Sequence, residues 1–211
     1  VTTETPVLSR LRFLQAQALG PRGLGSETID LNYLPGDDGD DQLQLAIKNI
    51  TATAEAAIVS GKTILILSDR NVIREQIPVP ALMAAGAVHH HLTRLGLRGN
   101  ANLIIETGSA RDPHQIAMLI AFGATAVYPF LAYAAIEQIA AGEQTDPEQA
   151  CSNYIKGINK ALLKIMSKMG ISTIASYRGA QLCEAVGIHP TVIDLCFEGV
   201  ISRIDGSRFS D

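Results

Sequence analysis

The segment Thr63-Ile-Leu-Ile-Leu-Ser68 is apolar at consecutive positions rather than alternate ones, and helical signals flank it on both sides. Strands of this kind are buried on both faces, which places them inside a parallel sheet rather than on a half-solvated antiparallel one. The pattern repeats along the chain. A helix runs from Gln42 through Ile50 and Ala54 to Val59 and stops at Ser60-Gly61, and Pro80 opens another that carries Leu82, Ala85, Val88 and Leu92. Leu103-Ile-Ile105 is the next buried strand. Asp112-Pro-His-Gln115 then supplies an N-cap, a proline at the first helical position and a glutamine three residues after the cap. Thr125-Ala-Val-Tyr128 reads as a strand, Leu131 to Ala141 as a helix, and Asp146-Pro147 opens a helix that reaches Met169 before Gly170. Ile171 to Ser176 and Val192 to Phe197 read as further strands around a small helix at Ala180 to Val186. Strands that each precede a helix require right-handed parallel crossovers. The fold class is α/β, with repeated parallel strand-helix units forming a doubly wound sheet or a full, partial or modified (β/α) TIM-barrel-like domain.

At 211 residues the chain holds one such domain, large enough to bury roughly 70% of the surface its unfolded form exposes. The organisation expected is an extended lead-in over 1–41, the α/β domain over 42–206 and a polar tail over 207–211. No apolar run approaches the about 20 residues of a membrane-crossing helix, so no membrane partner is expected. Lys and Arg total 17 against 21 Asp and Glu, for a net charge of −4, and the basic residues are scattered except in one helix. That balance argues against nucleic acid as a partner. Cys151, Cys183 and Cys196 are odd in number and far apart, which excludes a disulfide framework and a CxxC-type metal site and fits a reducing, cytoplasmic setting. The start at Val1 carries neither an initiator Met nor the pattern of a signal peptide, as in an excised piece or a naturally split fragment.

Several motifs read more plainly as structure than as chemistry. His89-His90-His91 cannot supply three ligands to one metal from a regular helix, since successive side chains lie about 100° apart; His89 falls on the packed face. His114 and His189 complete no metal-ligand pattern. Asp37, Asp38, Asp40 and Asp41 lack the alternating spacing and closing Glu of a calcium loop. The Gly20 to Gly25 stretch has no strand before it and no Gly-Lys-Ser/Thr after it, as a nucleotide loop requires.

The strand ends carry more. In parallel α/β folds ligands gather at the C-terminal ends of strands and at helix N-termini. Ser68-Asp69-Arg70, Glu106-Thr-Gly-Ser-Ala-Arg111 and Ser176-Tyr177-Arg178 bring polar groups to one such rim, with Asp69, Arg70, Glu106 and Arg111 its candidate binding residues. Against a ligand, Asp112 occupies the helix terminus as a cap, and Asp69 with Arg70 or Glu106 with Arg111 make plausible ion pairs. Gly123-Ala-Thr-Ala-Val127 is similar to the strand entry of the phosphate-binding half of flavin barrels, but its exit is Tyr128-Pro129-Phe130, where proline offers no N–H and the aromatic rings block a close backbone approach. Lys156, Lys160, Lys164 and Lys168 recur at four-residue intervals opposite Ile158, Leu162, Ile165, Met166 and Met169. Their like-charge i, i+4 pairs disfavour an isolated helix by about 0.2–0.5 kcal/mol each, a penalty that an acidic partner relieves. No catalytic triad, Cys/His pair or paired-carboxylate constellation assembles from the remaining residues, so no catalytic, cofactor-binding or metal residue is assigned.

The longer motifs resemble one family. Ile64-Leu-Ile-Leu-Ser-Asp-Arg70, Ile77-Pro-Val-Pro80, Gly86-Ala-Val-His-His-His-Leu92, Ile158-Asn-Lys160, Leu163-Lys-Ile-Met-Ser-Lys-Met-Gly-Ile-Ser-Thr173 and Ser176-Tyr-Arg-Gly-Ala-Gln181 are similar to the central domain of the glutamate synthase large (alpha) subunit. The resemblance runs from about Pro6 to Gly206 and implies an incomplete relative of a flavin barrel. It further implies a parent enzyme that transfers the glutamine amide nitrogen to 2-oxoglutarate, with an amidotransferase domain and an FMN- and iron-sulfur-binding domain as partners. Val1 stands in place of an N-terminal nucleophilic Cys, and the three cysteines are too dispersed for the family's cluster. The expectation is a structural and linking domain with no cofactor of its own. The alternative is a free-standing flavin- or phosphate-ligand-binding (β/α) enzyme that uses the strand-end rim.

Overall fold

The computed structural model describes residues 5–19, 24–36 and 40–211. The acidic turn, including the side chains of Asp40 and Asp41, and residues 20–23 of the glycine stretch lie outside the described part.

In chain order the elements are α1 (Arg10–Gln17), β1 (Ser26–Asp30), β2 (Asn32–Tyr33), α2 (Asp40–Val59), β3 (Ile64–Ser68), β4 (Ile77–Pro78), α3 (Ala81–Arg94) and β5 (Asn102–Glu106). They continue with α4 (Pro113–Ala121), β6 (Ala126–Tyr128), α5 (Phe130–Gly142), α6 (Pro147–Lys168), α7 (Ile174–Tyr177), β7 (Glu184–Ile188), α8 (Pro190–Cys196) and β8 (Ile201–Ser207). The main sheet has the order β1-β3-β5-β6, every pair parallel, which is the succession of strands around part of a (β/α) barrel. Beyond β6 the next position is taken by the N-terminal segment: Val7 bridges Val127 in parallel, Leu8 N–H donates to the Val127 carbonyl at 2.9 Å, and Val127 N–H donates to the Pro6 carbonyl at 2.8 Å.

Strand side chains alternate between two cores. Leu65, Leu67, Leu103, Ile105 and Val127 face α2, α3 and α4 and pack with Ile47, Ile50, Ala84, Val88, Ile116 and Ile120. Ile64, Ile66, Ile104, Ala126 and Tyr128 face the opposite side, the lumen side of a barrel, and there they meet Leu8, Phe13 and Tyr133. Both faces are therefore covered, as the consecutive apolar positions require. The short helix α1 does this with one buried side chain, Phe13, which stacks on Tyr128 at 4.3 Å between ring centroids. The Tyr133 hydroxyl donates to the Leu8 carbonyl at 2.9 Å and fixes the approach of the same segment.

The first and last parts of the chain differ from expectation. Residues read as an extended lead-in supply α1, which fills the lumen side, and β1, an edge strand of the main sheet. Only Ile29 of Ser26-Glu-Thr-Ile-Asp30 is buried, so an edge strand covered by one face leaves almost no apolar signature. Toward the C-terminus the assignments reverse: Val192 to Phe197 lies in α8 and the chain that follows it, Glu184 to Ile188 is strand β7, and Ile174–Tyr177 is a helical turn. α8 is opened by Pro190 at its first position with the His189 side chain as cap. β7 and β8 form a separate two-stranded parallel sheet.

Candidate functional site

The C-terminal ends of β3 and β5 lie side by side because Ser68 is in register with Glu106. That register builds the site. Ser68 Oγ donates to Glu106 Oε2 at 2.7 Å, and Arg70 Nε donates to Glu106 Oε1 at 2.6 Å. The Arg70 guanidinium carbon sits 4.3 Å from the Phe130 ring centroid and 5.7 Å from that of Tyr128, within cation–π range of both. Glu106 is 5% exposed, whereas 45% of the Arg70 side chain remains open to solvent. The ion pair thus has one buried end and one presented end.

Asp69 points into the next loop. Thr107 Oγ1 donates to Asp69 Oδ2, and Gly108 N–H donates to Asp69 Oδ1 at 2.9 Å. Burial pushes the Asp69 carboxyl above its ordinary range, against the lowering effect of the Thr107 and Gly108 donors, and the neighbouring Glu106 charge adds to the rise. Both buried carboxylates are held by donors from the rim itself.

Asp69, Arg70 and Glu106 are therefore brought together, but Arg111 is not. Glu106 pairs with Arg70 rather than with Arg111, and Asp69 takes Thr107 and Gly108 rather than Arg70. Arg111 has an exposed side chain, and its backbone does the local work: its N–H donates to Gln115 Oε1 at 2.9 Å and its carbonyl accepts from the Tyr154 hydroxyl at 2.9 Å. The Asp112 cap forms in full, with Gln115 N–H donating to Asp112 Oδ1 at 2.9 Å and Gln115 reaching back to the Asp112 N–H. Ser176 and Arg178 belong elsewhere, Arg178 Nε donating to the Ala124 carbonyl at the opposite, N-terminal end of β6.

That opposite end contains a group that spacing alone did not reveal. Arg98 Nε donates to His89 Nδ1 at 2.9 Å, and Arg98 Nη2 donates to the Gly123 carbonyl at 2.7 Å. His89 is held neutral, its pKa lowered to about 4 by burial first and by the Arg98 charge second. Gly123, with φ at +114°, leaves the space: a Cβ there would come within 2.5 Å of His89 Cβ. His91 makes a separate surface pair with Glu55 at 2.8 Å. The three histidines therefore go to different surroundings, and no group of three metal-ligating side chains forms among the described residues.

Lys156, Lys160, Lys164 and Lys168 are all exposed along α6, and none of them enters an ion pair among the described residues. Ile158, Leu162 and Met166 are buried on the other side, while Met169, at 41% exposed, is not part of that face. No described helix is long and apolar enough to cross a membrane.

Comparison with known proteins points one way. A family model described as the glutamate synthase central domain matches residues 1–189. The chain is 42% identical over 204 residues to the glutamate synthase [NADPH] large chain of Bacillus subtilis, 41% identical over 186 residues to the glutamate synthase [NADH] of Schizosaccharomyces pombe, and 40% identical over 223 residues to the chloroplastic ferredoxin-dependent glutamate synthase of Oryza sativa. These alignments cover 96%, 86% and 98% of this chain but only 13%, 9% and 14% of those proteins. Among solved structures, a mutant flavocytochrome b2 with benzoylformate superposes with a TM-score of 0.51 at 13% identity, covering 81% of this chain and 38% of that one. That likeness concerns the fold.

Proposed function

The chain belongs to the glutamate synthase central domain family, and from that premise we propose that it is a structural and linking domain, without catalytic activity alone, that positions an amidotransferase domain against an FMN-binding domain. The parent reaction in this reading is transfer of the glutamine amide nitrogen to 2-oxoglutarate, giving glutamate in the cytoplasm. FMN and the iron-sulfur cluster belong to the neighbouring domain. The strand-end rim and the Lys156 to Lys168 face of α6 are the surfaces by which this domain meets its neighbours.

The observation that carries the reading is the aromatic filling of the lumen side at the C-terminal ends of the strands; the cavity of about 540 Å³ on that side lies at the other end, against Ile64, Ile104 and Ala126. In a flavin barrel the cofactor lies at the C-terminal mouth with its phosphate on backbone N–H groups. Here Phe13 stacks on Tyr128 across that side, Asp112 accepts the Gln115 N–H at the start of α4, and Pro129 opens α5 without an N–H to offer. Buried Asp69 and Glu106 add negative charge beneath the rim, where a phosphate is repelled. The residues present do not fit a flavin phosphate, and no chemical step is derived through one.

Two measurements test this. Titration of the purified chain with FMN is expected to leave the flavin spectrum unchanged, and incubation with glutamine and 2-oxoglutarate is expected to yield no glutamate. A flavin-coloured preparation or glutamate formation by the chain alone overturns the reading. Reversal of Lys156, Lys160, Lys164 and Lys168 to Glu is expected to weaken association with the neighbouring domains at unchanged melting temperature, and unchanged association removes α6 as a contact.

A further inference from the structure

Arg70 is built as a presented group. Its Nε is drawn into the 2.6 Å bond to Glu106, its planar head lies over Phe130, and yet nearly half of its side chain is exposed. Besides the Nε bond to Glu106, the Arg70 side chain also reaches the Tyr128 hydroxyl, so its head is held from two sides. The fold buries a carboxylate, an unfavourable act in itself, and uses it to orient an exposed guanidinium. If stability alone were served, an apolar pair at these positions would do as well. What the arrangement gains is a guanidinium whose rotamer is set before anything binds, so that little side-chain entropy is lost when its solvent-facing edge meets an oxyanion.

The surroundings are those of an interface centre. Val72 and Ile73, on the loop that follows Arg70, are 50% and 63% exposed, and Leu131, at the start of α5 beside Phe130, is 54% exposed. Arg10, Arg74 and Arg111 also have exposed side chains and no ion pair among the described residues. Burial raises the Tyr128 pKa, and the Arg70 and Arg10 charges both act against that rise. Glu75, on the same loop, is exposed, and Asp112 is engaged as a helix cap. Exposed aliphatic side chains beside a held arginine have the make-up of an interface core rather than of a polar rim.

We propose that the β3 and β5 strand ends form a docking site in which Arg70 receives a side-chain carboxylate, flanked by apolar residues, from an adjoining domain of the longer polypeptide. This rests on the central-domain reading, and it selects the mouth of the half-barrel as the principal contact. A free phosphate is the weaker match, because Glu106 beneath Arg70 and its neighbour Asp69 oppose a dianion more than a monoanionic carboxylate.

The test replaces the matched segment of the Bacillus subtilis large chain with this chain, in wild-type form and with Arg70→Lys or Val72→Ser/Ile73→Ser. Each change is also made in the 211-residue chain alone. The wild-type chimera is expected to form glutamate from glutamine, and both variants to lower that rate at least tenfold and to speed limited proteolysis between domains. In the chain alone the same variants are expected to melt within a few degrees of wild type. An inactive wild-type chimera overturns the central-domain placement itself. An active chimera in which both variants match wild type overturns the docking site alone, as does a variant whose melting temperature falls equally in the chain and the chimera. Saturable binding of inorganic phosphate by the chain, lost in Arg70→Lys, overturns the choice of a protein carboxylate.

Discussion

At the scale of single residues, buried charge and neutral histidine set the behaviour of the two ends of the sheet. Glu106→Gln keeps the shape of the side chain but removes the charge that Ser68 and Arg70 both address; a loss of about 1–3 kcal/mol in urea unfolding is expected for a buried, charge-assisted pair with one exposed end. His89 gives the opposite end a pH dependence with a definite sign. Its pKa falls from 6.5 in the unfolded chain to about 4 in the fold, so the unfolded state binds more protons in between. Stability is complete above about 6.5 and declines as the pH falls toward 4. His90, also lowered by burial, acts in the same direction. Urea midpoints measured from pH 7 to pH 4.5 are expected to fall, and less steeply in His89→Gln, which keeps a hydrogen-bond acceptor for Arg98 but cannot be protonated. The rim was legible as a set of polar residues at strand ends, since position after a buried strand is a sequence property. Its pairings were not. Which carboxylate meets which arginine depends on the β3 to β5 register, and that brings Ser68 level with Glu106 across 38 residues of chain. The Arg98 to His89 bond depends likewise on the cleft left by Gly123.

Elements were legible in proportion to how far burial shaped them. β3, β5 and β6 are covered on both faces and announce themselves by consecutive apolar residues, and α4 by its Asp112 and Gln115 capping pair. β1 has one buried residue, β7 is at most half-buried and β8 is largely exposed, so neither period nor composition marks them as strands. In α8 the run Val192-Ile-Asp-Leu-Cys196 is short enough that a strand and a helix give the same apolar pattern, and the Pro190 start signal is the feature that decides it. Two substitutions test the packing between elements. Phe13→Ala removes the one buried side chain that holds α1 over the lumen side; a loss of about 3 kcal/mol is expected, with new binding of a hydrophobic dye. Gly86→Ala would place a Cβ 2.1 Å from the Cys196 carbonyl oxygen where α3 crosses α8. The helices have to separate, and thermal unfolding is expected to report a loss of about 2–3 kcal/mol.

At the scale of the whole molecule, four parallel strands and an N-terminal rung make an arc of a barrel whose strand side chains are buried on both faces. The β7-β8 sheet has two strands, and Val186, Ile201 and Ile204 on it are exposed. A two-stranded sheet is marginal without further cover. Native-state hydrogen exchange is expected to be slowest in β3 and β5 and faster by at least two orders of magnitude in β7 and β8; equal protection in the two sheets contradicts this division.

The segment that closes the lumen side has a consequence for the order of events during synthesis. The Leu8 carbonyl waits for the Tyr133 hydroxyl, 125 residues further on. A ribosome adding about 5–20 residues per second takes roughly 6–25 s to cover that distance. Within that interval Ile64, Ile66 and then Ile104 emerge before Tyr128 and Tyr133, the rings on which Phe13 and Leu8 are anchored. The nascent chain therefore carries an uncovered apolar surface until β6 and α5 appear, a window in which a chaperone has something to hold and a neighbouring nascent chain has something to stick to.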